Sequence, residues 1–235
     1  MVVLGVDTAT ADAVVGVTAD GTVVHEVSVE PGPDGRPRHS RVLLPEIESG
    51  IEAAGGWDAV DRIAVGIGPG SFTGLRIGIS TVRALAQARE LPVAPVGSLV
   101  ALARGMAAHP LAAGRPALPV FDARRSEAFA ALIDGSVERW PAFVAAPEEL
   151  AERVRELDPA PLAAGDGAVR FAKELEAAGA TVAPPEDPIH RVAARHVCAV
   201  GEAVAEASAD RIQPLYLRPP DAKRWLERDR RAGEG

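Results

Sequence analysis

The residues with the clearest chemical potential lie in a glycine-rich segment between an apolar run and a long amphipathic pattern. The run at 63–67 reads IAVGI, and GPGSFTG follows it at 68–74. A strand that passes through glycines into a helix presents unpaired N–H groups and the positive end of the helix dipole to an anion. The pattern is therefore typical of a phosphate site with Gly70, Ser71 and Thr73 as contacts, and either hydroxyl could also cap the helix.

The same segment departs from the two common phosphate motifs. A P-loop has Lys directly after its second glycine, and a dinucleotide fingerprint has a third glycine or alanine where this chain has Thr73. A tight turn that only lets the helix lie on the sheet explains the glycines equally well. From these residues alone, a phosphate site and a ligand-free turn remain alternatives.

Metal and catalytic chemistry can be considered at His39 and Asp7. The residue one helical turn after His39 is Leu43, and a single imidazole without a nearby second ligand is a poor site for a divalent ion. Asp7 ends an apolar run, where it could contact a metal or phosphate, or accept bonds from residues 8–10. No nucleophile elbow surrounds Ser71. We therefore predict no catalytic residue, metal or cofactor in the isolated chain, and the candidates for a nucleotide contact are Asp7, Gly70, Ser71 and Thr73.

The composition is typical of a globular protein and does not favour binding to nucleic acid. Its 235 residues are 47% apolar and carry a formal net charge of −8. Affinity for a phosphate backbone comes mostly from Lys and Arg, so we expect any RNA contact to be indirect, through a partner. The single cysteine, Cys198, excludes an internal disulfide and favours a reducing cytoplasm. No apolar run approaches the ~20 residues of a membrane span, and the start lacks a basic leader, so we expect no membrane association.

The first 108 residues predict a mixed sheet with helices on its faces. Strands are predicted at 2–7, 13–18, 22–29, 63–67 and 91–96, and helices at 39–54, 74–89 and 98–108. Asp20 and Gly21 would form a hairpin turn between the second and third strands. Antiparallel strands followed by βα units favour an α/β fold with a mixed sheet.

The second half predicts a further lobe over 109–222. Pro and Gly in the segment 109–115 mark the boundary. Strands are predicted at 118–123, 126–133, near 137 and at 162–164, and helices at 147–157, 169–178 and 190–207, the last of which could pack back on the first lobe. Residues 223–235 are a charged tail that we expect to be disordered.

Two of the predicted helices carry features of a contact surface. Glycine inside a helix costs roughly 1 kcal/mol relative to alanine, so Gly74 and Gly78 indicate close approach by another backbone or by a ligand. Helix 74–89 buries one apolar face and keeps a second, formed by Ile77, Thr81, Ala84 and Ala88. We expect this second face to contact another protein.

Five segments resemble one known family. The sequence GIGPGSFTGLRIGIS at 66–80 resembles the signature of the bacterial TsaB family, also called YeaZ. VLGVDTAT near the start resembles the family's first strand and loop, and His39 with the Leu43 to Pro45 run resembles its first helix. FDARRSEAFAA resembles its second-domain hairpin and PLYLRPP at 214–220 its closing strand, in the same order along the chain. The resemblance implies two related lobes of the actin-like ATPase (ribonuclease H-like) type, with mixed sheets flanked by helices.

The resemblance also implies a function and partners. TsaB proteins are non-catalytic partner subunits of TsaD in the complex that transfers a threonylcarbamoyl group to adenosine 37 of tRNAs reading codons that begin with A. ATP or ADP and metal are then expected on the partner subunits TsaD and TsaE, and a homodimer is expected when the chain is alone. The implied interface lies on helices 39–54 and 74–89, with the residues His39, Leu43, Ile47, Gly74, Arg76, Ile77, Gly78, Thr81 and Ala84.

An enzyme of the same fold is the alternative interpretation. An ATP-dependent phosphotransferase or a metallohydrolase would need a nucleotide or a metal bound by this chain itself. Titration of the isolated chain with nucleotide and metal would distinguish that enzyme from a scaffold subunit.

Overall fold

The computed structural model describes residues 1–218 and contains two five-stranded mixed sheets covered by helices. Strands β1 to β5 form the first sheet in the order β3-β2-β1-β4-β5, and are Val2–Asp7, Ala13–Ala19, Thr22–Val29, Arg62–Gly68 and Val93–Gly97. Strands β6 to β10 form the second in the order β10-β9-β6-β7-β8, and are Ala117–Asp122, Ala128–Asp134, Val137–Ala145, Leu162–Ala164 and Thr181–Val182. Counted from the first strand of each sheet, the two orders are the same. The predicted α/β fold of two related lobes is confirmed.

Strand β1 is the centre of the first sheet. It pairs antiparallel with β2 and parallel with β4. Its residues Val3, Leu4 and Val6 are fully buried because helices cover both faces of this strand. The turn from β2 to β3 has φ 48° at Asp20 and 75° at Gly21, the left-handed pair that a two-residue hairpin turn requires, as predicted.

The α-helices of the described chain lie on both faces of each sheet. They are α1 His39–Ala53, α2 Phe72–Arg89, α3 Ser98–Met106, α4 Pro147–Arg155, α5 Asp166–Arg170, α6 Ala172–Ala177 and α7 Ala194–Ala203. Helices α1 and α2 share one core with the first sheet, in which Leu43 and Leu75 pack with Leu4 and Val65. The two helices therefore lie side by side on the same face of that sheet.

Helices α3 and α7 occupy the space between the two sheets. Their residues Leu102 and Val197 belong to a core that also contains Ala64 of β4 and Phe121 of β6. Helix α7 contacts β1, β2 and β4, and a Cβ on Gly201 would lie 2.3 Å from the Cβ of Ala64. The second half of the chain thus returns to cover the first sheet.

Two helices of the second half differ most in extent from the sequence prediction. The helix predicted at 190–207 begins at Ala194, because the His190 ring bonds Gly165 N and the carbonyls of Ala183 and Pro184, which keeps His190 in a short 3-10 turn. It ends at Ala203, since Val204 is extended. The helix predicted at 169–178 is divided into α5 and α6, where Phe171 leaves helical geometry at φ −108° and ψ 26°.

The predicted closing strand at 214–220 does not form over its described residues. One ladder-like backbone bond joins Leu215 N to Ile67 O, and residues 212–217 otherwise run without regular structure. The predicted disordered tail at 223–235 and the end of the second lobe at 222 lie outside the described residues. Among the residues described, no helix combines the length and apolar character needed to cross a membrane.

Candidate functional site

Asp7 is turned into the protein at the end of β1. Its Oδ2 accepts a 2.6 Å bond from Ser98 Oγ and its Oδ1 a 2.7 Å bond from Ala9 N. Burial raises the pKa of this carboxyl, and the two bonds partly oppose the increase. A Cβ on Gly66 would lie only 1.9 Å from Oδ2, so the glycine leaves the room that the carboxylate occupies. The geometry matches the structural interpretation of Asp7, which binds the backbone of the following loop.

The glycine-rich segment is used by the chain's own first loop. Ser71 caps α2 by accepting a 3.2 Å bond from Gly74 N, and its own N–H donates to Ala9 O at 2.7 Å. A Cβ on Gly70 would lie 2.3 Å from Ala9 O. The loop after β1 therefore packs directly on the start of α2. All three predicted phosphate contacts, Gly70, Ser71 and Thr73, border the cleft described below, and Gly70 and Ser71 also contact this loop.

The two helix glycines contact Thr8. A Cβ on Gly74 would lie 2.1 Å from Thr8 O, and one on Gly78 would lie 2.2 Å from Thr8 Oγ1. Thr8 Oγ1 also donates to Gly74 O at 2.8 Å. Close approach by another backbone is found at Gly74, whereas Gly78 is approached by the Thr8 side chain, and both groups belong to this chain.

His39, the first residue of α1, forms a hydrogen bond to the loop that follows β1. Its ring is buried, and its Nε2 lies 3.1 Å from Asp12 O, so this nitrogen carries the hydrogen and donates to the carbonyl. Burial lowers the pKa of the imidazole, although bonds to the carbonyls of Asp12 and Ala11 oppose the decrease. Over the described residues, no group of three or more His, Cys, Asp and Glu side chains is placed to hold a metal ion.

The residues predicted for the protein interface divide into a buried and an accessible set. Those buried inside their own lobe are His39, Leu43, Ile47, Gly74 and Gly78, which leaves these five unavailable to a partner in this conformation. Those with accessible surface are Arg76, Ile77, Thr81 and Ala84. The resemblance implies helices rather than exposed faces, and an apolar stripe such as that of Leu43 and Ile47 looks the same in sequence whether it covers the chain's own sheet or another protein.

The outer surface of α1 and α2 also carries apolar side chains that sequence reasoning missed. Leu44 is 56% exposed and Phe72 is 49% exposed. Adjacent residues on a helix point about 100° apart, so the Leu43–Leu44 pair already implied that one leucine faces outward when the other is buried. We call the accessible residues Leu44, Phe72, Arg76, Ile77, Thr81 and Ala84 the docking face.

A cavity of about 600 Å³ separates the two lobes. The start of α2 borders it on one side, the loop after β6 borders it on the other, and Phe121 and Phe129 lie against it. Its charged groups are paired within the chain: Asp122 bonds Arg124 at 3.3 Å and Arg170 at 2.7 Å. Asp166 accepts bonds from the N–H groups of Asp122 and Gly167, and burial raises the pKa of its carboxyl.

The loop at this cleft has an unusual backbone. Arg124, Arg125 and Ser126 have φ of 63°, 55° and 57°, in the left-handed region that disfavours residues with a Cβ. Local bonds hold it: Ala123 N donates to Glu127 O at 2.9 Å and Arg124 N to Asp122 Oδ1 at 2.8 Å. The loop therefore keeps two arginines at the cleft in a defined conformation.

A known protein family matches most of this chain. Residues 34–209 match the family model described as TsaD, tRNA N6-adenosine threonylcarbamoyltransferase. The tRNA threonylcarbamoyladenosine biosynthesis protein TsaB of Haemophilus influenzae is 38% identical over 92 residues, which are 39% of this chain and 38% of that relative. The aligned part of the chain thus spans well under half of this TsaB protein's length.

Two further comparisons extend over nearly the full chain. An uncharacterized protein of Mycobacterium bovis is 34% identical over 226 residues, covering 94% of this chain and 93% of the relative. A crystal structure of an uncharacterized Pseudomonas aeruginosa protein, described as similar to peptidase YEAZ, has a TM-score of 0.72 at 26% identity and covers 92% of this chain and 99% of its own. The chain therefore belongs to the family that the matching model describes, and within it to the TsaB (YeaZ) proteins.

Proposed function

We propose that this protein is a non-catalytic subunit of the machinery that makes threonylcarbamoyladenosine in tRNA. In this proposal it binds, activates and stabilises TsaD, which transfers the threonylcarbamoyl group to adenosine 37 of tRNAs reading codons that begin with A. TsaE joins the complex, and the isolated chain forms a homodimer. The names of the TsaB relative and of the matching TsaD family support this biosynthetic role.

The docking face is the observation that carries the proposal. Leu44 is the most exposed large apolar side chain on α1 and α2, and Phe72 is half-exposed at the start of α2. A contiguous surface of exposed apolar side chains marks an interaction site in soluble proteins, and we propose that the outer sides of α1 and α2 form such a surface. The small exposed Ala84 permits a partner helix to approach α2 closely. A specific interface of ordinary size would bury about 800 Å² on each protein.

The first loop supports a scaffold in preference to an enzyme. Asp7 accepts hydrogen bonds from Ala9 and Ser98, and His39 donates one to Asp12. Ser71 donates to Ala9 and accepts from Gly74. Groups that could hold a metal or phosphate are thus engaged in holding the fold. We propose that nucleotide and metal are bound by the partner subunits, and that tRNA reaches this chain only through them, in keeping with the net charge of −8.

Charge substitutions on the docking face test the proposal. Leu44→Glu and Ile77→Glu each place a carboxylate in a surface that binding would desolvate, at a cost of about 3 kcal/mol or roughly a hundredfold in affinity for TsaD. Affinity is measured by titration calorimetry with purified TsaD, and modification is measured on tRNA with TsaD and TsaE present. Val137→Glu is the matched control, because Val137 is 61% exposed on β8 in the second lobe.

Only variants that fold like the parent protein test the docking face. Leu44→Glu and Ile77→Glu should lose TsaD binding and tRNA modification together, while Val137→Glu keeps both. If Leu44→Glu and Ile77→Glu melt cooperatively and bind TsaD with the parent's affinity, the docking face is not the surface that binds TsaD. The enzyme alternative would be supported instead if the isolated chain bound a nucleotide or one equivalent of metal and lost it in Asp7→Ala or His39→Ala.

A further inference from the structure

We propose that residues 213–218 form an interlobe strap, which ties the two lobes together across the cleft and must release one of them for the cleft to widen. The strap is Gln213, Pro214, Leu215, Tyr216, Leu217 and Arg218. This inference concerns the motion of the lobes and does not depend on which partner the protein binds.

The strap begins in the core of the first lobe. Ile212, the residue before it, is 2% exposed and packs in the core beneath α1 and α2. Leu215 N then donates to Ile67 O at 2.8 Å, which fixes the backbone of the strap to the end of β4. The first half of the strap is therefore bound to the first lobe through both side chain and backbone.

An aromatic cluster adds a second contact to the first lobe. The rings of Tyr216 and Phe72 stack with centroids 5.3 Å apart. Arg76 places its guanidinium 3.9 Å from the centre of the Phe72 ring and donates from Nε to the Tyr216 hydroxyl at 3.2 Å. Such contacts contribute on the order of 0.5–1.5 kcal/mol each in addition to the buried area.

The strap ends on the second lobe. Arg218 donates from Nη1 to Ala123 O at 3.2 Å and forms an ion pair with Glu127, which follows the left-handed loop at the cleft. Leu217 packs against the core between the two sheets, which contains Phe121 and Phe129 of the second. The anchor on the second lobe thus combines an ion pair and a hydrogen bond, and Leu217 adds apolar contact with the shared core.

The short distance along the chain between the two anchors gives the strap its effect. From the Leu215 bond to Arg218 is three residues, and an extended chain spans at most about 3.3–3.6 Å per residue. Two lobes of one chain move relative to each other unless the interface between them is large and hydrophobic, so the strap acts together with the core that the lobes share around α3 and α7. Between its anchors the strap can extend to at most about 11 Å, and wider opening of the cavity requires Arg218 or Leu215 to detach. Residues 215–218 also line the cavity, so a ligand or protein segment entering it meets the strap.

Distance measurements between spin labels test the strap. Gln87→Cys on α2 and Lys173→Cys on α6 place labels at exposed positions, one in each lobe. Burial raises the pKa of the native Cys198 to about 12, so this thiol stays unreactive at neutral pH. Pulsed electron resonance on the full chain should show one narrow distribution in the parent. In Arg218→Ala and Leu217→Ala the distribution should broaden and extend to longer distances.

Two further variants keep the test decisive. Arg139→Ala removes an exposed 3.6 Å ion pair with Asp134 inside the second lobe and should leave the distribution unchanged. If Arg218→Ala does not fold, Glu127→Gln weakens the same ion pair while keeping the size of the side chain, and should also broaden the distribution and speed hydrogen exchange at Leu215 N. A distribution unchanged in the folded strap variants, or broadened equally in Arg139→Ala, would overturn the proposal.

Discussion

Single residues in the loop after β1 determine the character of the candidate site. Thr8 contacts α2 through both its carbonyl and its hydroxyl, Ala9 bonds Asp7 and Ser71, and Asp12 accepts from His39. Each of these bonds ends on the chain itself. These bonds fix the loop against α1 and α2, the two helices that carry the docking face.

Gly78→Ala tests the contact between Thr8 and α2 because packing and helix propensity predict opposite signs. Alanine is the better helix former by roughly 1 kcal/mol, so propensity alone would raise the free energy of unfolding. The added Cβ, however, would lie 2.2 Å from Thr8 Oγ1. We expect overpacking to win and the variant to be destabilised by about 1–3 kcal/mol in urea unfolding.

Repeating the glycine substitutions in a Thr8→Ala protein identifies the cause of the destabilisation. Every atom that crowds Gly78 belongs to the Thr8 side chain, whereas the nearest atom to Gly74 is the Thr8 carbonyl oxygen. Thr8→Ala should therefore relieve most of the cost of Gly78→Ala and little of the cost of Gly74→Ala. Equal costs in the two backgrounds at position 78 would show that the clash is not with Thr8 Oγ1.

Asp7→Asn tests the burial of the Asp7 carboxyl. Because its pKa is raised in the folded protein above the usual 3.8, the native state binds this proton more tightly than the unfolded state does. The resulting stability is present below pH 3.8 and is lost as the pH rises through the higher folded pKa. Asparagine is neutral at every pH and avoids that loss. The free energy of unfolding of Asp7→Asn relative to the parent should therefore increase from about pH 4 to pH 8.

The measurement is urea unfolding at several pH values on both proteins. Taking the difference removes the contributions of other carboxyls, including Asp12 and Asp166, whose pKa values burial also raises. Asp58→Asn, at an exposed position, is the control for the general effect of removing a carboxylate. A difference between Asp7→Asn and the parent that stays constant with pH would contradict the assigned burial.

At the scale of elements, the sequence predicts which helices and strands form better than it predicts where each begins and ends or what each packs against. Helix 39–54 was predicted and α1 covers His39–Ala53, because its apolar stripe and the loop before it are both local signals. The helix predicted at 74–89 begins two residues earlier, at Phe72, since Ser71 rather than Thr73 supplies the cap. Strand β8 runs from Val137 to Ala145, far beyond the short piece predicted near 137, because pairing with β7 extends it through Pro141.

What the sequence could not provide was the identity of contacting groups. Gly74 and Gly78 indicated a close neighbour, but nothing local identifies that neighbour as Thr8, 66 residues away from Gly74 in the chain. The same limit applies to His39 and Leu43, which pattern alone could not assign to core or interface. The strap was missed for a related reason, since its bonds to Ile67 and Ala123 come from opposite lobes.

Ser71→Ala tests the start of α2 as an element. It removes the side-chain acceptor of Gly74 N, and loss of an N-cap costs about 1 kcal/mol of stability. Ser71→Asp keeps an acceptor and adds a favourable charge at the positive end of the helix, so it should retain the parent's stability. Ser80→Ala, in the same helix but bonded back to Arg76 O, should change it by less than about 0.5 kcal/mol. Equal loss in the Ala and Asp variants would exclude capping as the cause.

At the scale of the whole molecule, the two lobes are joined by a shared core as well as by the strap. Helix α3 follows the first sheet in sequence yet packs on β6 and β7, while α7 follows the second sheet and packs on β1, β2 and β4. Each sheet thus has one face covered by residues that neighbour the other sheet in sequence. The lobes resemble each other in strand order, but neither has an independent hydrophobic core on this side.

This exchange of helices predicts that both lobes unfold in one transition. Trp57 packs with the core of the first lobe and Trp140 with the outer core of the second. Variants in which Trp225 and one of these two tryptophans are replaced by Phe therefore report on one lobe each. Their urea midpoints should coincide, as the two-state test requires. Leu102→Ala in α3 removes a side chain that is 1% exposed between the sheets and should lower both midpoints together, by about 2–5 kcal/mol in stability. Separate midpoints, or a shift at Trp57 without one at Trp140, would show that the lobes fold independently.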